Sequence, residues 1–538
     1  MRLGIDFGTT RTVVARADRG NYPVIGFVDA AGDRAAWIPT LVAERAGELR
    51  FGFEAAAVLD DPTFTILRSF KRLLSGPDAG PQQRLSVGTT ELRAADLIVK
   101  FLAYVRDAIL TRSDARLGGG KEAKTSAGGA LQAAIAVPAN APTSQRFVTL
   151  DAFRRAGFEV KAMLNEPSAA GFEYTHRHRD TLSSRRDIVV VYDLGGGTFD
   201  ASMVRMSGRR HEVLATAGVG RLGGDDFDRV LADLVLSRLG FPDGALAPSA
   251  WGHLVDQCRA AKEALHASSR KITVDLEAAL GGAAPQPEIT IATSDYYDAC
   301  APLVTRTVEV LTPIMSRIDS CVDGETAAPD LTEVAGIYVV GGASELPLVA
   351  RALRQQFGRR VHRSPYPSAA VAIGLAIAAD TGAGLELVDR YSRTFGVFRE
   401  GAGGRDITFD AIFQAGTELP SASSEPLVST RRYRAAHNVG HFRFFDCERF
   451  DENGGPRGDM AFYGDLYFPF DTALREADLP SVPVSRRTVE GPEIVEEYSL
   501  DQSGIVGVLI RNLDSGDERC YRFADASPAG PPGRRTRR

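Results

Sequence analysis

Two short loops in this chain carry what a phosphate chain needs from a protein. Gly8-Thr9-Thr10 follows Asp6, and Gly195-Gly196-Gly197-Thr198 follows Asp193. Glycines let phosphate approach the backbone where a Cβ would block it, and hydroxyl and N–H donors can be aimed at its oxygens. Each carboxylate stands at the end of a strand-like run, where it could hold a hydrated magnesium ion against the phosphates, because small hard cations prefer oxygen ligands and keep several waters. The combination points to a nucleoside triphosphate. Neither loop fits G-x-x-x-x-G-K-S/T or G-x-G-x-x-G, so those two nucleotide-binding classes lose their main support. One such loop alone reads equally well as a tight strand-to-strand turn, at odds of about one half. The pair carries more: IDFGTT at Ile5 to Thr10 and YDLGGGT at Tyr192 to Thr198 each enter a second strand-like run, as duplicated halves facing one nucleotide would.

Two further segments extend the pattern. Val340-Gly341-Gly342-Ala343-Ser344 follows a strand and could admit an adenosine against Gly341 and Gly342, while Asn165-Glu166-Pro167-Ser168 places a carboxylate before a helix start. The ordered set DFGTT, NEPSAA, DLGGGTFD, RLGGDDFD and VVGGASELP resembles the nucleotide-binding domain of the seventy-kilodalton heat-shock chaperones of the DnaK type, within the actin-like ATPase superfamily, over roughly Met1 to Ala379. The resemblance implies an α/β domain of two lobes, each a ribonuclease H-like half, with ATP or ADP and Mg2+ in the cleft between them. Potassium is a further cation it allows. Under the resemblance Asp6 and Asp193 bind magnesium through water. Gly8, Thr9, Thr10 and Gly195 to Thr198 surround the phosphates, Thr198 and Asp193 also serving hydrolysis. Lys71, in SFKRLL, matches the catalytic lysine, although by itself, beside Arg72, it would be read as a solvated charge. Glu166 and Asp200 match carboxylates near the attacking water and cations, and Pro138 matches a proline linked to interdomain signalling.

The adenosine side departs from the family. Of the polar contacts in Cys258 to Ser269 only Lys262 is kept in kind, and Arg259, Glu263, His266, Glu345 and Ser368 stand where the family has other residues. Phosphate chemistry is expected to be intact and base recognition rewritten, with binding less dependent on the adenine ring. The segment between Lys71 and Ala95 is shorter than in the family.

The elements that must position these residues follow an α/β pattern. Strand-like runs at Asp187 to Tyr192 and Gly336 to Val340 end in glycines. Leu97, Ile98, Phe101, Leu102, Val105 and Ile109 fall at helical spacing within Ala95 to Leu110. Alanine-rich Ala369 to Ala379 is too short to span a membrane and reads as a buried helix. From about Thr394 the texture becomes short alternating segments, including Ile407 to Phe413, His441 to Phe445 and Ile505 to Ile510. The expected organisation is an ATPase domain over 1–380, a linker over 381–393, a β-sandwich substrate-binding-like domain over 394–523 and a disordered tail over 524–538. Leu385 to Asp389 resembles the family's apolar linker ending in aspartate. GTELPSASSEPLVSTRRYRAAHNVGHFRFFDCER and EEYSLDQSGIVGVLIRNLDSGDE resemble its peptide-binding sandwich, in which an extended segment lies in a groove. No segment here has the length or periodicity for the family's helical lid, so a lidless groove with fast exchange is expected. A β module that stabilises the ATPase or holds one fixed partner is the plainer alternative.

Bulk properties narrow the classes. At 538 residues, 44% hydrophobic and 25% charged, the chain is a multidomain globular protein. A net charge of −6 disfavours nucleic acid as a partner. Scattered cysteines without a C-x-x-C pair, no leader and no apolar span point to a reducing, cytoplasmic setting without a membrane. His176 and His178 in HRHRD lack a further ligand in sequence and are expected in a solvated loop, and the basic GRRTRR is expected to be solvating. The reading that results is a slow ATPase acting as a molecular chaperone, with unfolded or extended peptides as partners and J-domain and nucleotide-exchange co-chaperones as helpers. Its rivals are an ATP-binding scaffold or switch with one dedicated partner, and a small-molecule kinase of the same superfamily.

Overall fold

The computed structural model describes residues 1–75, 83–116, 131–178, 182–183, 185–242, 244–280, 284–315, 333–401, 403–421, 423–450 and 455–521. The expectations for the tail 524–538, for the lid and for Cys321 lie outside them.

Two lobes repeat one topology. In the first, the sheet runs in the order Phe158–Asn165, Leu131–Val137, Arg2–Phe7, Arg11–Arg16 and Ile38–Pro39. In the second it runs Val361–Arg363, Val334–Val340, Ile188–Leu194, Phe199–Ser207, Arg210–Val219 and Glu386–Val388. Each lobe has a central strand that pairs in parallel on one side and forms an antiparallel hairpin on the other, so Asp6 lies opposite Val13 as Asp193 lies opposite Asp200. The glycine loops are the two hairpin turns. Strands covered on both faces read as continuous apolar runs, and Ile188–Leu194 is buried throughout, Asp193 included.

Helices cover these sheets as the spacing predicts. Ala94–Thr111 buries Leu97, Ile98, Phe101, Leu102, Val105 and Ile109. Ala370–Ala379 is apolar all round and lies against the Arg2–Phe7 strand and the Glu166–Arg177 helix. It approaches so closely that a Cβ on Gly374 would overlap the Ala169 carbonyl. The histidine pair departs from its expected solvated loop. Glu166–Arg177 continues as helix through His176, which meets Tyr22 edge-on at 5.2 Å, and the His178 ring lies 4.9 Å from that of Tyr174, tilted by 36°. His176 and Arg177 stay exposed, but the helix end is held by aromatic packing.

Beyond the lobes, two four-stranded antiparallel sheets face each other as a β-sandwich. Strict alternation buries every second residue of Glu493–Leu500 and Val506–Asn512. Phe395, Phe444, Phe468 and Tyr498 fill the interior. The segment joining sandwich to lobes is ordered: Glu386, Leu387 and Val388 pair in parallel with Arg210, His211 and Glu212 as an edge strand of the second lobe. Arg390 secures it through the Val213 carbonyl at 2.8 Å and Glu212 at 2.9 Å.

Candidate active site in the interlobe cleft

The two turns share one construction. Gly8 N–H donates to the Arg11 carbonyl at 3.1 Å, and Gly195 N–H to the Thr198 carbonyl at 3.0 Å. They also face each other. A Cβ on Gly196 would lie 2.7 Å from Thr10 Oγ1, and one on Gly197 would press on the Thr9 hydroxyl. Gly341, at φ 85°, closes the third side, where a Cβ would strike the Leu194 carbonyl and the Asp193 carboxylate. Between them is a cleft of about 340 Å³ that collects Asp6, Gly8, Thr9, Thr10, Lys71, Glu166, Asp193, Gly195 to Thr198, Lys262, Gly341 and Gly342. Asp200 is not part of that wall. It sits behind Thr198, 2% exposed, and accepts the Asn140 N–H at 3.4 Å.

Charge in the cleft is unevenly matched. Lys71 is buried, not solvated, and its Nζ donates to Glu166 at 2.8 Å. Burial disfavours its charge, yet Glu166, Asp6 and Asp200 outweigh this and hold its pKa above the ordinary lysine value. Burial and the neighbouring Glu166 push Asp6 up to about 7, and the same two causes bring Asp200 to about 7. Asp193 is raised well above the ordinary value by burial and then by Glu166, Asp200 and Asp6. Several carboxylates share one ammonium, an imbalance that a divalent cation would offset. Among the described residues no group of three or more His, Cys, Asp or Glu side chains is arranged as a metal cage. The carboxylate oxygens of Asp6 and Asp193 in the cleft suit a magnesium ion that keeps most of its waters.

A cross-lobe clamp beside the cleft was not legible in the sequence. Arg72 donates to Asp226 at 2.5 Å and to the Gly197 carbonyl at 2.9 Å. Arg68 grips Asp256 at 2.8 Å, Ser69 bonds Asp225 at 2.5 Å, and Arg11, lying 4.3 Å over Trp37, pairs with Glu263 at 2.5 Å. RLGGDDFD marks Asp225 and Asp226 as part of a motif, but nothing local says which arginines meet them.

From the cleft, hydrogen bonds lead into the sandwich. Asn140, whose N–H meets Asp200, gives its side-chain amide to Glu448 at 3.0 Å. Asn165, next to Glu166, donates to both carboxylate oxygens of Asp389, at 2.9 and 3.0 Å, and accepts from Arg146. Arg146 also reaches the Ser503 carbonyl at 3.3 Å. The turn that begins at Pro138 delivers Thr143, whose N–H bonds Asp446 at 2.8 Å and whose hydroxyl meets Tyr391 at 2.7 Å. Asp446 in turn pairs with buried Arg393 at 2.5 Å.

The chain is similar to known proteins over most of its length. The family model described as Hsp70 protein matches residues 2–392. A chaperone protein HscA homolog of Burkholderia ambifaria is 34% identical over 534 residues, covering 96% of this chain and 77% of that protein. The homolog of Burkholderia multivorans is 33% identical over 534 residues with the same two shares. That of Burkholderia pseudomallei is 34% identical over 400 residues, 71% of this chain and 59% of its own.

Proposed function

This chain belongs to the Hsp70 family, and we propose that it is an ATP-hydrolysing molecular chaperone of the DnaK type, in which the nucleotide in the cleft controls the β domain. ATP would lie with its phosphates between the hairpin turns, their N–H groups and the hydroxyls of Thr9, Thr10 and Thr198 on its oxygens. Asp6 and Asp193 would hold the waters of magnesium, which supplies charge neutralisation on the phosphates when bound. Lys71, fixed by Glu166, would stabilise the transferred phosphoryl group, a task of electrostatics and positioning. Asp200 would orient Thr198 and the attacking water from behind the wall. Potassium would be a secondary cation on Glu166 and Asp200.

The observation that carries the coupling is Asn165. It stands next to Glu166 in the chain and holds Asp389, the residue following the docked Glu386–Val388 strand. A change in the cleft that moves Glu166 therefore bears on the docking of that strand, provided the nucleotide has different affinities for the docked and undocked states. Peptide segments would occupy the sandwich, with J-domain and nucleotide-exchange co-chaperones acting on the cycle in the cytoplasm. Among the described residues no helix is long and apolar enough to cross a membrane.

One feature of the sandwich favours the second reading, a β domain for one dedicated partner. Arg399 bonds Glu496 at 2.6 Å and Asp410 at 2.6 Å, and the Tyr433 hydroxyl donates to Glu496 at 2.5 Å, so a charged network with a buried carboxylate is built into the sandwich. Single-turnover ATP cleavage measured with and without assorted unfolded peptides separates the two. Stimulation by unrelated peptides supports the chaperone, and indifference to all of them leaves the dedicated partner.

A further inference from the structure

The polar side chains at the nucleoside end of the cleft are spent on one another. Arg259 bonds Asp225 and Asp228, each at 2.9 Å. Lys262 bonds the same Asp228 at 2.6 Å and the Gly224 carbonyl at 3.1 Å. Glu263 is taken by Arg11, which itself lies over Trp37, and Glu345 by Arg363 at 2.8 Å. The backbone from Gly341 is folded into a turn, with Ser344 N–H on the Gly341 carbonyl and Leu346 N–H on the Ala343 carbonyl, both at 3.2 Å. What remains on this wall is the Ser368 hydroxyl, which donates or accepts as needed, and apolar surface from Leu265, Leu346 and Val371.

Purines differ at their edges. Adenine offers an amino donor beside a ring acceptor, whereas guanine offers a carbonyl acceptor beside a ring N–H. A site tells such edges apart strongly only when its own buried donors and acceptors go unpaired with the wrong base; apolar cover discriminates weakly. Here the charged side chains are already paired within the protein, and the Ser368 hydroxyl suits either edge. We propose that the cleft selects the triphosphate and accepts the base by apolar cover and the either-way Ser368 hydroxyl, so that its substrate class is purine nucleoside triphosphates, GTP as well as ATP. This rests on the phosphate site described above, and it assigns Arg259 and Lys262 to holding Asp225 and Asp228 in place, not to reading the ribose or base.

Calorimetric titration of the full chain with ATP, GTP and adenosine, each with magnesium, tests it. The expected result is ATP and GTP dissociation constants within about tenfold of each other, and adenosine at least about a hundredfold weaker than either. ATP bound more than about tenfold tighter than GTP overturns base indifference while leaving the phosphate site standing. Failure of both triphosphates to bind overturns the phosphate site as well. Glu345→Ala should leave the ATP-to-GTP ratio within about twofold, and a tenfold change would mean that this carboxylate reads the base and would also overturn the proposal.

Discussion

The two ends of one cleft are built on opposite plans. At the phosphate end, Asp6, Asp193 and Glu166 crowd around Lys71 with more negative charge than the protein neutralises. At the nucleoside end, each arginine and glutamate has met its counterpart within the protein. The first suits a ligand that brings a cation. The second is balanced, and its Arg11–Glu263 pair joins the lobes. Unbalanced charge marks where chemistry is done, and balanced charge marks where geometry is kept.

The largest effect that could break this contrast is at Lys71. Lys71→Ala should slow single-turnover ATP cleavage by about a hundredfold or more while the nucleotide stays bound, the behaviour of a group that acts in the transition state. Parent-rate cleavage would remove Lys71 from the phosphate end. Next comes the clamp beside the cleft. Arg72→Ala removes a clamp that spans the lobes and should raise the ATP dissociation rate by about tenfold, since losses of this kind fall mainly on the off-rate. Stopped-flow release of a fluorescent ATP analogue reads it.

A pH series sharpens the contrast further. Asp6 and Asp200 have folded pKa values raised to about 7, so between the ordinary carboxylate range and about pH 7 the folded protein binds more protons than the unfolded chain. Stability of the nucleotide-free protein should therefore fall as pH rises through that window, and a thermal scan should give a higher Tm at pH 6 than at pH 8. Magnesium with ATP should flatten the trend. The smallest effect belongs to an exposed pair within the second lobe: Glu345→Ala, with Glu345 and Arg363 side chains 48% and 43% exposed, should change stability by less than about 0.5 kcal/mol in a denaturant titration.

Legibility in the sequence follows the same division. The hairpin turns were readable because a phosphate near backbone demands glycines and hydroxyls in consecutive positions, and the Ala94–Thr111 helix because its apolar residues repeat locally. The resemblance marks Lys71 as catalytic, but taken by itself it reads as a surface charge, because its burial depends on Glu166, which is remote in the chain. The Arg68–Asp256, Arg72–Asp226 and Arg11–Glu263 pairs were invisible for the same reason, as each joins segments that meet only once both lobes have folded. Glycine-bearing Thr381 to Asp389 reads as a connector, yet Leu387 and Val388 find a vacant sheet edge at His211 and Glu212. Edge pairing is a property of the partner strand and leaves no mark on the segment itself.

Hydrogen exchange at Leu387 and Val388 tests most directly whether the cleft and the β domain form one device. Protection of these amides should change by about tenfold or more between the ATP-bound and ADP-bound protein, and Asn165→Ala should abolish that difference while ATP still binds. Equal protection in both nucleotide states, unaltered by Asn165→Ala, would contradict the coupling.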